Sequence, residues 1–300
     1  MGSEHPRHNE GLADLEHRAF ELTRPSRQLV PFVFAFPHSG RVYPESFVAS
    51  SRLGATALRR SEDAYVDELF AASASLGAPT IAARFPRAFL DVNRAPSEID
   101  PEMFDGVLRL PVDPTSARVN AGLGVIPRIV RDGAEIYRGK LPAREAEERI
   151  VKFYKPYHAA LSALIEDTRR EFGMAIVVDC HSMPSAAAVP DVVLGDRYGM
   201  SAAYALMRGA ERAFEQSAFT IARNAPYAGG YTTHLYGRPM LGVHALQIEI
   251  NRALYLDEER IECAASFANV QARIAEALDA LTKVEQALVR GPRSTRWAAE

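Results

Sequence analysis

Apolar and polar positions follow two periods along the chain, one of strands and one of helices. Residues 30–36 form a run rich in Val and Phe that stops at Pro37-His38-Ser39-Gly40, which predicts a buried strand ending in a tight polar loop. Residues 11–22 read as one short helix. From 61 to 74, Val66, Leu69, Phe70 and Ala74 recur at helical spacing, and Asp63 and Asp67 share the face of Val66 and Phe70. Residues 80–83 and 88–92 read as short strands around Arg84-Phe85-Pro86-Arg87. Residues 95–135 hold many Pro, Gly, Asp and Ser residues and little periodicity, so they read as a long loop, more often functional than accidental. The clearest helix spans 141–172, where Ile150, Phe153, Tyr154, Tyr157, Leu161, Leu164 and Ile165 trace one stripe and Pro156 is placed to kink it.

Further on, the apolar run 174–178 ends in Asp179-Cys180-His181-Ser182, and residues 191–194 and 219–223 read as short strands. Between them 201–214 is helical by pattern. Residues 244–251 alternate, with Leu246, Ile248 and Ile250 facing one way and Gln247, Glu249 and Asn251 the other. A last helix is expected over 258–288. Buried strands alternating with helices predict an α/β fold, with a mixed, mostly parallel central sheet covered on both faces. No composition break marks a second domain, so 1–300 reads as a single domain with loose ends at 1–10 and 291–300.

The charge is nearly balanced: 35 Lys and Arg against 38 Asp and Glu give a net −3, without the basic footprint of a nucleic-acid binder. A small-molecule partner is therefore expected, while the oligomeric state is left open. No apolar stretch is long enough to span a bilayer. Two cysteines, Cys180 and Cys263, outside any CxxC pair, and an N-terminus without a signal-type apolar segment, point to a reduced, cytoplasmic protein. No P-loop and no GxGxxG after a strand support a nucleotide cofactor.

Three apolar strands carry polar side chains where packing seldom calls for them: His38, His181 and Glu249. Ligands bind outside the carboxyl ends of strands in open α/β sheets, so the three are expected to converge. Two neutral imidazoles, one carboxylate and a water make a catalytic zinc site, which lowers the pKa of the water to about 7. Asp63 is the favoured carboxylate ligand, with Asp67 and Glu62 as alternatives. A purely structural reading places Glu62 and Asp63 in the first turn of a helix, where they complement its dipole. His158 reads as structural, His5, His8 and His17 lie in the N-terminal region, and His234 and His244 remain candidates, His244 more simply beginning the strand of Glu249.

The segments Phe36-Pro37-His38-Ser39-Gly40, 61–69, Leu90-Asp91-Val92-Asn93-Arg94, Val178-Asp179-Cys180-His181-Ser182, Tyr227-Ala228-Gly229-Gly230-Tyr231 and Gln247-Ile248-Glu249-Ile250-Asn251-Arg252 resemble, in order, those of the N-formylglutamate amidohydrolase family. That family is similar to zinc carboxypeptidases and aspartoacylases. The resemblance implies a three-layer α/β/α sandwich of zinc-exopeptidase type around a mixed eight-stranded sheet, one Zn²⁺, and a place in histidine breakdown. It also implies Asn93 and Arg94 as holders of a substrate carboxylate, His181 as the last zinc histidine and Glu249 as general base. One departure stands out: the relatives carry Glu three residues after the first histidine, where this chain has Arg41.

The residue chemistry agrees with these roles. Arg94 offers a planar, permanently charged fork for a carboxylate, with the Asn93 amide as a donor beside it. Arg87, or failing it Arg84, is placed to polarise the scissile carbonyl, although Arg84 reads more simply as an ion-pair residue. Arg138 is a candidate for a second substrate carboxylate. Gly229-Gly230 permits a positive φ or a close backbone approach in a covering loop, with Tyr227 and Tyr231 as lid contacts or packing. The activity expected is hydrolysis of N-formyl-L-glutamate to formate and L-glutamate. The alternatives are a related N-acyl amino acid or dipeptide hydrolase, a Cys180 or Ser182 nucleophile, and a noncatalytic binding protein.

Overall fold

The computed structural model describes residues 11–113, 115–130, 133–186 and 189–284. The loose ends expected at 1–10 and 291–300, and the last residues of the helix expected to reach 288, lie outside that set. A mixed sheet organises the chain. Strands β1 (Phe20–Thr23), β2 (Phe32–Phe36) and β3 (Thr80–Ala83) come first. Two-residue strands β4 (Phe104–Asp105) and β5 (Leu141–Pro142) pair only with each other, off the main sheet. Then follow β6 (Ala175–Met183), β7 (Val192–Gly195), β8 (Ile221–Arg223) and β9 (Val243–Asn251), while the short β10 (Leu256–Asp257) and β11 (Glu262–Cys263) form a second small pair.

Among the described residues the main sheet has seven strands, in the order β1-β3-β2-β6-β9-β7-β8, rather than the eight implied by the resemblance. The loop 95–135 is too rich in turn residues to add one. Strands β3, β2, β6 and β9 run parallel, β7 runs antiparallel to β9, and β1 closes one edge antiparallel to β3.

Alternating side chains divide the core into two layers. Val33, Ala35, Ala175, Val177, Val243 and Ala245 pack under the long helical region that runs from Ala143 through a π-helical turn at Ile150–Tyr154 to Phe172. Phe34, Phe36, Val178, Cys180, Leu246, Ile248 and Ile250 pack on the other face, against the helices Tyr204–Gln216 and Phe267–Thr282. The chain is thus a three-layer α/β/α structure.

The same alternation sets up the site. On the first face the apolar residues of β6 and β9 give way, toward the strands' carboxyl ends, to Asp179 and His181 on β6 and Gln247 and Glu249 on β9. In the parallel register Asp179 lies beside Gln247 and His181 beside Glu249.

Four expectations fail for local reasons, the first being that the last helix, expected from 258, starts only at Phe267 because Glu262–Cys263 pairs as β11 with β10. Residues 11–22 split into a helix at Leu12–His17 followed by strand β1. Residues 88–92 form turns closed by the Phe89 and Leu90 N–H groups on the Pro86 carbonyl; their apolar side chains are buried in the core layer of the long helical region, outside the sheet. The helix expected over 61–74 is broken at Tyr65, which takes a left-handed φ of 61°, leaving short helices at Val66–Leu69 and Ala72–Ser75. Glu62 and Asp63 therefore precede the helix and do not cap its dipole.

The loop after β2 is tightly pinned. A Cβ on Gly40 would sit 2.0 Å from the Phe85 carbonyl oxygen, whereas one on Gly54 would meet nothing within 4 Å. Gly40→Ala is expected to lower stability by about 1–3 kcal/mol, as overpacking does. Gly54→Ala is expected to stay within about 0.5 kcal/mol of the parent. Denaturant midpoints of the two variants check this contrast.

Candidate active site

His38 follows β2, Asp63 sits in the turn before Val66, and His181 ends the polar stretch of β6. All three are buried. One ligand atom from each lies within 4.8 Å of the others. The Asp63 Oδ2 atom is 3.1 Å from His38 Nδ1 and 2.9 Å from His181 Nδ1, so the same ring nitrogen of each imidazole faces the carboxylate. The outer nitrogens are held by carboxylates too: His38 Nε2 is 2.8 Å from Asp91 Oδ1, and His181 Nε2 is 3.0 Å from Asp179 Oδ2. A carboxylate on Nε2 can accept a hydrogen bond from the proton of that nitrogen, in the tautomer in which Nδ1 is free to ligate a metal.

The local folding that delivers Asp63 is the break at Tyr65. The Asp63 N–H donates to the His38 carbonyl at 3.0 Å. Its Oδ1 accepts from Arg252 Nη2 at 2.9 Å and from the Ser182 hydroxyl at 3.3 Å. The alternatives to Asp63 point elsewhere. Asp67 accepts from Arg41 through both oxygens, at 2.9 and 2.8 Å, and Glu62 is taken by Arg59 and the Tyr43 hydroxyl. Arg41 pairs with Asp67 and Glu68.

Electrostatics reinforce the geometry. Burial alone would raise the pKa of Asp63, but its hydrogen bonds to His181 and His38 hold it well below the usual carboxylate range. For His181 burial opposes protonation, yet Asp179 and Asp63 overcome it and push the imidazole well above its ordinary value. The cluster therefore calls for positive charge at its centre, which a proton supplies in the metal-free protein. Two imidazole nitrogens and a carboxylate oxygen are the donor set that suits a divalent zinc, so the residues present fit that ion.

Glu249 lies on β9 beside His181. Burial, above all, raises its pKa from 4.5 to about 7. Gln247 Nε2 donates to its Oε1 at 2.8 Å.

These groups line a cavity of ≈ 550 Å³. Arg87, Arg94, Gly229 and Gly230 line it as well. Arg87 Nε donates to Asp91 at 2.9 Å. Arg94 donates to the Leu123 and Asn93 carbonyls, and its nearest carboxylate oxygen among the described residues, on Asp91, is 3.8 Å away.

Asn93 departs from the reading that its amide donor faces a ligand. Its Nδ2 atom is 2.9 Å from both Asp179 Oδ2 and His181 Nε2, and its Oδ1 accepts from the Thr232 N–H at 2.7 Å. Gly229 has a φ of 134°, and a Cβ on Gly230 would lie 2.5 Å from the Asn93 amide, so the pair supplies both the positive φ and the close approach expected.

Arg138 is a correction. Ile136 and Tyr137 are buried, and the bridge pairing Ser51 with Tyr137 turns the next residue outward, so Arg138 is exposed and away from the cavity. Arg84 is spent on Asp14 and the Arg18 carbonyl. Cys180 packs in the opposite core layer with its thiol pKa pushed well up by burial, and the Ser182 hydroxyl is held between Arg252 and Asp63. Neither is placed as a nucleophile. His158 bridges the Val92 carbonyl and the Tyr236 hydroxyl, His234 is exposed, and His244 begins β9 with Nδ1 accepting from Ala203. Tyr227 lines the cavity, while Tyr231 packs against the core.

Sequence reasoning passed over Asp91, Asp179, Gln247, Arg118 and Arg252. A period-two signal marks three of them: Asp179 precedes His181, and Gln247 precedes Glu249, by two residues on one strand face, and Asp91 precedes Asn93 by two.

Known proteins resemble this chain over most of its length. The family model FGase, N-formylglutamate amidohydrolase, matches residues 30–256. The chain is 29% identical, over 80% of its length and 87% of the relative's, to an N-formylglutamate deformylase of Pseudomonas aeruginosa. A Pseudomonas putida protein of the same name is 27% identical over 76% of this chain and 83% of its own. The crystal structure of N-formylglutamate amidohydrolase from Ralstonia eutropha JMP134 is similar at 35% identity, with a TM-score of 0.83 over 89% of this chain and 98% of that one.

The displaced pKa of Glu249 carries a stability consequence for the metal-free protein. A folded-state value above the ordinary one means the native state holds the proton more tightly than the unfolded chain. The associated stability is complete below pH 4.5 and is lost as pH rises through about 7. Wild type is therefore expected to lose stability relative to Glu249→Gln across that window in denaturant titrations. A gap that does not change with pH would contradict this.

Proposed function

The chain belongs to the N-formylglutamate amidohydrolase family, and from that premise we propose that it is a zinc-dependent hydrolase that splits N-formyl-L-glutamate into formate and L-glutamate. The observation that carries this reading is the convergence of His38 Nδ1, His181 Nδ1 and Asp63 Oδ2 beside a buried Glu249. His38, Asp63 and His181 are the proposed ligands of one ion. When bound, zinc supplies Lewis acidity and brings the ionisation of a water toward pH 7.

The chain's own groups do the rest. Glu249 takes the proton of the attacking water and later delivers it to the departing amine nitrogen, a task for which a pKa near neutrality is suited. Water oxygen bonds to the formyl carbon, the C–N bond breaks, and the electron pair leaves on nitrogen, which the Glu249 proton then satisfies. Arg87, bound to Asp91, is the proposed group that stabilises negative charge on the carbonyl oxygen.

Arg94 is the proposed anchor for the substrate α-carboxylate. Burial and the like charges of Arg87 and Arg118 outweigh Asp91 and lower its pKa, so it gains from an incoming anion. Asn93 acts behind it, aligning Asp179 and His181. Gly229 and Gly230 form the covering edge of the cavity. Among the described residues no helix is long and apolar enough to cross a membrane.

Metal analysis and formate release test the reading together. Wild type is expected to bind about one zinc per chain and to release formate. His181→Ala is expected to lose both metal and turnover, while Glu249→Gln keeps the metal and loses about 10²–10⁴ in kcat. Full activity in a metal-free sample would overturn the proposal. Release of amine only from acetyl, aspartyl or dipeptide substrates would replace the formyl assignment with a related hydrolase. Substrate binding with no product would favour a receptor.

A further inference from the structure

Five arginines line the cavity, and they are not committed alike. Arg252 is bound to Asp63, and Arg87 to Asp91. Arg94 is held by two backbone carbonyls. Arg60 stands on the metal-ligand side, where its carbonyl accepts from Arg252 Nη1 at 3.4 Å. Arg118 differs. Its ion pair with Glu98 is loose, Nη1 standing 3.6 Å from Glu98 Oε1, outside hydrogen-bond distance. That oxygen already accepts from the Ser116 hydroxyl at 2.8 Å, and the other Glu98 oxygen accepts from the Ala95 N–H at 2.9 Å. The side chain of Arg118 is 45% exposed and lines the cavity, where an incoming anion can meet it.

Its placement beside Arg94 is built into the backbone. Arg118 lies on the short helix Ala117–Asn120, whose N-cap Ser116 accepts from the Val119 N–H. The Leu123 N–H donates to the Arg118 carbonyl at 2.8 Å, and the Leu123 carbonyl accepts from Arg94 Nε at 3.0 Å. Both side chains line the cavity, and the charge of Arg118 is near enough to act on Arg94. Two neighbouring cations without a full complement of carboxylates favour a ligand that carries two negative groups.

We infer that Arg118 is a specificity-determining residue that holds the side-chain carboxylate of a dicarboxylic acyl amino acid, while Arg94 holds the α-carboxylate. The inference rests on the proposed function and deepens it. It gives the second-carboxylate role, expected at Arg138, to a residue that lines the cavity.

The test compares wild type with Arg118→Met, which keeps most of the apolar stem, on N-formyl-L-glutamate and on N-formyl-L-norleucine, whose side chain is neutral. An unchanged thermal midpoint confirms folding. The KM for the glutamate derivative is expected to rise about 10- to 100-fold, the loss of one charge-assisted contact, with kcat little changed. The norleucine derivative is expected to be nearly unaffected, and Arg118→Lys to recover part of the loss. An equal loss on both substrates would assign Arg118 to the α-carboxylate, and no loss on either would remove it from recognition; both outcomes overturn the inference.

Calorimetric binding of glutarate to the same proteins separates this inference from the reading beneath it. If wild type leaves formylglutamate intact yet binds glutarate in an Arg118-dependent way, the hydrolytic reading fails and the Arg118 assignment stands. If the variant binds glutarate as wild type does, the assignment falls.

Discussion

A carboxylate with 2% exposure, flanked by two imidazoles, is the constraint around which the site is organised. An ionised group shielded from water is costly unless positive charge or hydrogen-bond donors meet it. Asp63 has both on one side, from Arg252 and Ser182, and turns its other oxygen to the two Nδ1 atoms. Because Asp91 and Asp179 occupy the far nitrogens of those rings, the imidazoles are fixed in orientation as well as position. What remains at the centre is a donor set, two imidazole nitrogens and a carboxylate oxygen, of the kind that suits a divalent cation.

The fold achieves this with ordinary means. Parallel pairing of β6 with β9 sets His181 next to Glu249, and the same face that packs apolar residues near the strands' amino ends presents polar ones at their carboxyl ends. Two irregularities finish the work. The left-handed Tyr65 swings Asp63 out of a helix and under His38, and Gly230 lets the covering segment close on Asn93. Neither irregularity is a packing solution in its own right, and each brings a distant part of the chain to the same cavity.

Much of this was legible in the sequence, for physical reasons that can be named. Buried strands are read easily because continuous Val, Ile and Phe runs have few other uses, and an imidazole or carboxylate at the end of such a run stands out; His38, His181 and Glu249 were found that way. Periodicity failed where local backbone chemistry overrode it. The pattern at 61–74 suits one helix, but the Asp63 N–H goes to the His38 carbonyl and its carboxylate to the cluster, and the helix breaks at left-handed Tyr65. The run at 88–92 is apolar because it is buried in the core, although turns on Pro86 keep it out of the sheet. Arg138 was misplaced because spacing says nothing about which side of a loop faces the site. Arg118 was missed because an arginine in an aperiodic loop looks like a surface cation until the fold brings it beside Arg94.

X-ray absorption at the zinc edge of the zinc-loaded protein addresses the central claim most directly. The account predicts a nearest shell of nitrogen and oxygen at about 2.0–2.1 Å, with the outer-ring scattering of two imidazoles. A sulfur shell near about 2.3 Å, or a spectrum without imidazole scattering, would place the ion elsewhere and contradict it.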